Sequence, residues 1–223
     1  ATTAGTNTST AARKFTTAGG TITFWAGSDG SGSIDIANYN LFDSNSAGTT
    51  GGGDITFGGN TTAAAGNANK PAGPVVAPAG DAVVLGSSLT INNGVQILGD
   101  GGKVYIGGKT AATGAYSGVS YFPGLTINAG EVEIYGETAA NTAVNNTASG
   151  VMAAAYATRD NTVSASITAT DIFVTPSNAI SITGISGSSY PMMLGNQSAL
   201  TLSATGALGG ISLVSNSSWA STA

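Results

Sequence analysis

The chain has 223 residues, with 34 glycines, no histidine, no cysteine and a formal net charge of −5. Charged residues make up 8 % of it, against about 25 % in ordinary globular chains. Without His or Cys, histidine triads, thiol nucleophiles and thiolate metal sites are excluded. The six Lys and Arg residues are scattered and no apolar stretch is long enough for a transmembrane helix, so we expect neither nucleic-acid binding nor a membrane span.

The first third of the chain predicts short strands. Residues 1–19 are rich in Thr and Ala and predict an extended lead-in, with Arg13–Lys14 as a solvated pair. The segments Gly20–Phe24 and Gly32–Ile36 both place apolar residues two apart, on one face of a strand. Asn38–Asp43 continues the series.

One unit recurs three times and organises the chain. Gly53–Ala63, Gly102–Ala112 and Gly130–Ala140 share the pattern Gly, any, apolar, any, apolar, any, Gly, any, Thr, small, Ala. We interpret the paired apolar residues as core positions and the glycines as corners. A second repeat, Leu89–Gly94 and Leu125–Gly130, lies between and beside these copies.

Three stretches interrupt the rhythm and predict loop excursions at about 61–82, 107–122 and 136–162. The first contains three prolines, which disfavour a central strand, and Val75–Val76 is expected to pack back onto the body. Within the last, Met152–Ala157 has helix propensity but is too short to form a helix alone. Strand patterns then return, at 166–168, 171–174, 179–182, 199–202 and 210–213.

The spacing of these strands predicts an all-β fold. Apolar positions taken as equivalent, such as Ile22, Ile55 and Leu89, recur roughly every 33 to 36 residues, a period typical of stacked repeats. We therefore predict a single domain over 1–223, a right-handed parallel β-helix (β-solenoid) with loop insertions at its corners. The alternative is a β-sandwich, which very short strands with a persistent repeat identity disfavour.

Stacking of the repeats predicts a charge column on the outer surface. If the copies at 102 and 130 lie on adjacent coils, Lys103 lies over Glu131 and Lys109 over Glu137, with Asp54 in the column of Lys103. Alternating signs along a column favour stacking, because like charges directly opposite each other are destabilising.

Acidic residues are the only candidates for chemistry. Glu131 and Glu133 lie two apart on one strand face with Glu137 nearby, and paired carboxylates are typical of glycoside hydrolysis or Ca²⁺ binding. The favoured interpretation is a solvated charge ladder. We accordingly assign no catalytic, cofactor-binding or metal-ligating residue and expect no cofactor and no enzymatic activity.

Two further surface hypotheses carry less weight. Asp29, Asp35 and Asp43 surround the early strands but lack the spacing of a calcium loop, so a structural role is favoured. Ice binding would need a long regular Thr-x-Thr array, but Thr21-Ile22-Thr23 occurs once and the other rungs place Asp, Lys, Glu or Tyr outward.

The repeats resemble a known family. The segments Gly19–Ala26, Gly32–Ile36, Gly52–Gly59, Ser198–Leu202 and Gly209–Leu213 are similar in style to the repeats of large bacterial surface exoproteins of the filamentous haemagglutinin type. This resemblance implies secretion, a long right-handed β-helix, and a role in adhesion, aggregation or biofilm matrices. The family's N-terminal secretion domain is not recognisable here.

The expected function is therefore structural. We predict a building block of a secreted or cell-surface bacterial filament or adhesin, either a mature product or a piece of a longer chain. Its first partner is itself, through end-to-end stacking or covalent continuation, and surface glycans or neighbouring cells are further partners. The alternative is a carbohydrate-active or glycan-binding β-helix that uses the acidic face or exposed tyrosines, namely Tyr105, Tyr116 and Tyr121.

Overall fold

A computed structural model provides the structure of the chain, and every regular element in its described part is a β-strand. The described residues are 13–26, 32–36, 38–47, 52–59, 73–86, 89–92, 102–111, 116–121, 124–139, 149–153, 165–169, 177–187, 191–194, 200–205 and 209–217.

The strands form three sheets. Sheet 1 has six strands, in the order β1 (Arg13–Thr16), β4 (Asn40–Asp43), β8 (Thr90–Asn92), β11 (Leu125–Ala129), β14 (Ala165–Ala169) and β17 (Leu200–Ala204). Sheet 2 runs through β2 (Ile22–Trp25), β5 (Ile55–Gly58), β9 (Lys103–Thr110), β12 (Glu131–Thr138), β15 (Ser177–Ser186) and β18 (Gly209–Ser217), with β6 (Val75–Ala77) paired to β9 at its side. Sheet 3 has five strands, β3 (Ile34–Ile36), β7 (Val83–Leu85), β10 (Val119–Tyr121), β13 (Val151–Ala153) and β16 (Met192–Met193).

The chain visits the three sheets in turn, so the fold is a parallel β-solenoid. Each pass through sheets 1, 2 and 3 makes one coil: β1–β3 is coil 1, β4–β7 coil 2, β8–β10 coil 3, β11–β13 coil 4 and β14–β16 coil 5, and β17 and β18 begin a sixth. Within the described part of the chain, every pairing between named strands is parallel, for instance β12 with β9 and β15. The sandwich alternative is wrong, because sandwich sheets are built from antiparallel strands.

The repeats found in the sequence stack as predicted. The three copies of the organising unit provide β5, β9 and β12, which are neighbours in sheet 2 with Ile55, Val104 and Val132 in one column. The second repeat provides β8 and β11, where Ile91 lies beside Ile127. In both sheets the inward apolar residues form continuous rows, so each coil covers the core of the coil below it.

One predicted equivalence is wrong. Ile55 lies in sheet 2, whereas Leu89 immediately precedes β8 of sheet 1, so the two do not share a column. Ile55 instead lies beside Ile22 on one side and Val104 on the other. The error arose because the sheet 1 and sheet 2 strands of these coils carry similar apolar pairs.

Strands occupy parts of all three predicted excursions. β9 and β12 continue into two of them, as far as Thr110 and Thr138, and β10 and β13 lie entirely inside them. In the predicted excursion at 61–82, Val75 is fully buried and β6 pairs with β9, which confirms that this segment packs back onto the body. Met152 lies in strand β13, while the predicted strand at 171–174 lies outside the described residues.

The first two coils are filled by a phenylalanine cluster made of Phe15, Phe24, Phe42 and Phe57. Phe15 stacks on Phe42 with ring centroids 4.9 Å apart, and Phe24 stacks on Phe57 at 5.3 Å. The two stacks meet edge to face, with Phe42 5.2 Å from both Phe24 and Phe57. Above Phe42 the same column continues with Ile91, so this column changes from aromatic to aliphatic at coil 3.

Glycines inside the strands let two sheets approach closely. Gly108 and Gly136 lie within β9 and β12, and a Cβ on either would overlap a backbone carbonyl, that of Gly118 or Gly150, on the facing segment of sheet 3. We call these two facing pairs the glycine pinch. The prediction that such glycines turn corners is wrong for Gly108 and Gly136, which are required because backbone packs directly against backbone.

A half-buried carboxylate joins coil 2 to coil 3. Asp81 Oδ1 accepts a hydrogen bond of 2.6 Å from the Ser117 backbone N–H, and the Ser120 hydroxyl lies 3.4 Å from Oδ2. Burial raises the pKa of Asp81, although both hydrogen bonds act in the opposite direction. Nearby, the hydroxyl of Thr110 donates to the Gly80 carbonyl at 2.7 Å. Side-chain bonds of this kind tie successive coils together at the corner between sheets 2 and 3.

Candidate functional site

The charges of coils 3 and 4 gather on the outer surface of sheet 2. In β9 and β12 every second residue is buried, so the residues between them point away from the core. Seven polar side chains lie at these outward positions, and we call this set the charged face: Lys103, Tyr105, Lys109, Glu131, Glu133, Tyr135 and Glu137.

Lys103 holds two glutamates of the neighbouring strand. Its Nζ lies 3.0 Å from Glu131 Oε1 and also contacts Glu133 Oε2. Burial alone would lower the pKa of Lys103, but the hydrogen bonds to Glu133 and Glu131 and their charges outweigh it and leave the pKa raised. The predicted pairing with Glu131 is thus confirmed.

Asp54 lies beside Lys103 but makes a different contact from the one expected. Its Oδ1 accepts a hydrogen bond of 2.9 Å from the Lys103 backbone N–H. Asp54 therefore occupies the predicted column, and its carboxylate fixes the start of β9 through the backbone.

The second predicted ion pair is also formed. Lys109 Nζ lies 2.6 Å from Glu137 Oε1, and the Tyr135 hydroxyl donates to Glu137 Oε2 at 2.8 Å. Burial, followed by the hydrogen bond and negative charge of Glu137, raises the pKa of Tyr135 to about 12. Tyr135 therefore stays protonated at neutral pH and acts as a donor.

The structure brings the three predicted glutamates together on one face, each with a lysine partner. Glu131 and Glu133 share Lys103, and Glu137 pairs with Lys109. These contacts all run from β12 to β9, so what the arrangement does directly is hold two coils in register. Exposed pairs of this type contribute only about 0–1 kcal/mol each.

The three predicted tyrosines occupy different environments. Tyr116 is 40 % exposed, as expected of a binding residue. Tyr105 is half-buried with its ring across Gly107, and burial raises its pKa. The prediction of an exposed Tyr121 is wrong: it is fully buried, because it follows Val119 at the next inward position of β10. Its hydroxyl has no hydrogen-bond partner within the described part of the chain.

The early aspartates that the structure describes do not form a cluster. Asp35 lies on β3 of sheet 3 and Asp43 on β4 of sheet 1, while Asp29 lies outside the described residues. Across the described ranges, no group of three or more Asp, Glu, His or Cys residues is placed to hold a metal ion. The same ranges hold no helix with the length and apolar character needed to cross a bilayer.

Two features were not identified from the sequence. The first is a pair of apolar end surfaces, where Phe15, Ile211 and Leu213 are 40 %, 44 % and 49 % exposed. The second is an uncharged row of hydroxyl and amide side chains along the outside of sheet 1. Both features depend on which strands lie side by side. The register between the sequence repeats is therefore the signal from which they could have been predicted.

Comparison with known proteins adds no relative, because no family model, curated protein or solved structure matches the chain. The fold and its surfaces define the class: an all-β protein of stacked parallel strands in three sheets, with ion pairs between coils on one outer face.

Proposed function

We propose that this chain is a structural building block of a secreted or cell-surface bacterial filament or adhesin, a right-handed solenoid whose coils continue past both ends. Continuation occurs within a longer polypeptide or by stacking of copies. The observation that carries this proposal is that side chains of the apolar core columns are exposed on β1, the first strand of sheet 1, and on β18, the last strand of sheet 2.

At the C-terminal end, the exposed residues belong to the core columns. Ile211 and Leu213 of β18 lie beside Ile180 and Ile182 of β15, which are both fully buried. The register gives Ile211 and Leu213 the same inward position, yet they are 44 % and 49 % exposed. A further coil would bury these apolar side chains and pair the edge of β18 that has no strand partner within the described residues, which is favourable on both counts.

The N-terminal end also exposes a side chain of a core column. Phe15 of β1 stacks on Phe42, which is 1 % exposed, but Phe15 itself remains 40 % exposed. Repeat arrays normally end in polar caps, since an open terminal coil presents unpaired strand edges and core side chains. Two apolar ends therefore suit a segment that is extended in both directions.

The surface supports an extracellular setting. The chain lacks cysteine and carries few charges, with Ser, Thr and Asn on the outside of its strands. Its exposed rows offer contacts to surface glycans or neighbouring cells, which fits adhesion or aggregation. We infer that function lies in length and surface, with no catalysis.

Self-association tests this proposal. At increasing concentration the chain should form elongated assemblies in small-angle X-ray scattering and electron microscopy. Leu213→Lys, which charges a core position of the open end, should abolish them. Val214→Lys is the matched control, because Val214 follows Leu213 on β18 and lies beside Thr183 of β15, which points outward. A wild-type chain that stays a monodisperse monomer over the whole concentration range would contradict the proposal.

A carbohydrate-active or glycan-binding face is the second candidate, favoured by the exposed Tyr116 and the glutamates of the charged face. Polysaccharide turnover or glycan binding that disappears in the combined Glu131→Gln, Glu133→Gln and Glu137→Gln variant would establish it. Unchanged behaviour of that variant would leave the structural proposal in place.

A further inference from the structure

The outer surface of sheet 1 carries one column of uncharged polar side chains across four coils and a second across three. In the first column, Thr90, Thr126, Ser166 and Thr201 lie side by side in the register of β8, β11, β14 and β17. The second column lies two residues further along the same strands and contains Asn128, Thr168 and Ser203. We call these seven side chains the hydroxyl array.

The array is regular in both directions. The pairings of β8, β11, β14 and β17 contain no register shift, whereas β15 and β18 of sheet 2 shift at Asn178. Adjacent strands lie about 4.8 Å apart and positions two residues apart about 6.6 Å. Core residues such as Ile127 and Ile167 alternate with the array and are buried, which fixes the outward direction of its side chains.

The array also differs in charge from the neighbouring sheet. The strands β8, β11, β14 and β17 contain no Asp, Glu, Lys or Arg, whereas β9 and β12 carry the five charges of the charged face. Charged groups hold their hydration water tightly and resist its rearrangement. A neutral array lets surface water adopt an order imposed by a neighbouring phase.

We propose that the hydroxyl array is an ice-binding surface. Thr, Ser and Asn side chains each both donate and accept hydrogen bonds, as does every water molecule of the ice lattice. The array repeats these groups about 4.8 Å apart across the strands and about 6.6 Å apart along them, so several side chains face one surface at once. Small ligands are generally held in concave sites, which an outward sheet face does not provide.

The number of side chains that act together gives such a surface its affinity for ice. A single hydroxyl exchanges one water partner for another with little net gain, but a rigid row of them orders a whole layer of bridging waters. The buried apolar rows beneath the array hold the side chains at fixed positions, so little conformational entropy is lost on adsorption. This inference does not depend on end-to-end association.

Only part of the array is visible along the chain, as the repeat Leu89–Gly94 and Leu125–Gly130. The Thr21–Thr23 run considered for ice binding lies on sheet 2. The array runs across strands, from Thr126 to Ser166 for example, and therefore appears only when the register of the coils is known. That is why ice binding was not favoured by the sequence.

Ice partitioning and inhibition of ice recrystallisation test the proposal with two matched variants. Thr126→Arg places a bulky charge at the centre of the array, and Thr183→Arg places the same group at an outward position of sheet 2. Circular dichroism and thermal melting should show both variants folded. We expect the wild type and Thr183→Arg to enter growing ice, and Thr126→Arg to lose activity by about tenfold or more.

Three outcomes would overturn the inference. The first is exclusion of the wild type from ice to the same extent as serum albumin. The second is equal activity of a folded Thr126→Arg variant and the wild type. The third is binding of the wild type to cellulose or chitin particles without entry into ice, which would assign the array to a crystalline glycan. If Thr126→Arg does not fold, Thr126→Val, which keeps the shape and removes the hydroxyl, should lower the activity, and unchanged activity would again contradict ice binding.

Discussion

Coils 1 and 2 carry phenylalanine rings in their cores, whereas in coils 3 and 4 the backbones of sheets 2 and 3 are in direct contact at the glycine pinch. In the first region Phe42 lies between three other rings, at centroid distances of 4.9 to 5.2 Å. In the second, Gly108 faces Gly118 and Gly136 faces Gly150 with no space for a side chain. The two regions nevertheless share one register, since Phe42 lies beside Ile91 and Phe57 beside Ile106.

This difference shows that register and cross-section are set by different residues. The inward apolar columns and the backbone ladder hold the strands in line, so coils of unlike composition stack without a shift. The width of each coil depends on which side chains lie between the sheets that face each other across the core. Removing volume from the aromatic region and adding volume to the glycine pinch should therefore both destabilise the fold, through opposite packing defects.

The largest effect is expected from Gly136→Ala in the glycine pinch. The new Cβ would overlap the Gly150 carbonyl and press on Val151, and the main obstacle is backbone that cannot rotate away. We expect loss of more than about 5 kcal/mol of unfolding free energy, or no folded protein, which is at the extreme end of single substitutions. Urea unfolding followed by circular dichroism measures this.

A glycine in open space provides the control. A Cβ on Gly73 would meet no atom within 4 Å, so Gly73→Ala should leave the unfolding free energy within about 0.5 kcal/mol of the wild type. If Gly136→Ala lowers the unfolding free energy as little as Gly73→Ala does, the backbones of sheets 2 and 3 are not in direct contact in coil 4. The distinction between the two regions then fails.

Phe42→Ala should have the next largest effect. Phe42 is 1 % exposed, stacks on Phe15 and meets Phe24 and Phe57 edge to face, so truncation leaves a cavity and removes three ring contacts. The expected cost is about 3–5 kcal/mol. Phe15→Ala, at the open end of the same stack, should cost clearly less in the isolated monomer. Equal losses for the two variants in urea unfolding would show that the cluster is not centred on Phe42.

The sequence was sufficient for the repeat and much of the stacking. The copies that provide β5, β9 and β12 share a pattern strong enough to predict their adjacency and the pairs Lys103 with Glu131 and Lys109 with Glu137. These predictions succeed because parallel in-register strands place like positions side by side.

Other features depend on contacts between elements that sequence periodicity does not contain. Leu89 was placed in the column of Ile55, because sheet 1 and sheet 2 strands have the same short apolar pattern. Gly136 was interpreted as a corner, since only the facing wall reveals why a side chain is forbidden there. Tyr121 was expected on the surface, although its side chain fills the core.

The smallest predicted effect lies on the charged face. Lys103→Glu places a third carboxylate beside Glu131 and Glu133, next to Asp54, and should lower the melting temperature. Adding Glu131→Lys should restore part of the loss by reversing the pair. The side chains of Lys103 and Glu131 are 34 % and 33 % exposed, so we expect a coupling energy of at most about 1 kcal/mol.

Salt separates this electrostatic coupling from packing. Screening at high ionic strength should shrink the coupling between Lys103 and Glu131, while the cost of Gly136→Ala, which is steric, should not change. Restoration should also remain incomplete at low salt, because Glu133 keeps facing a glutamate at position 103 in the double variant. A double-mutant cycle with no coupling at low salt would mean that the charged face adds nothing to register, and that the inward columns alone align coils 3 and 4.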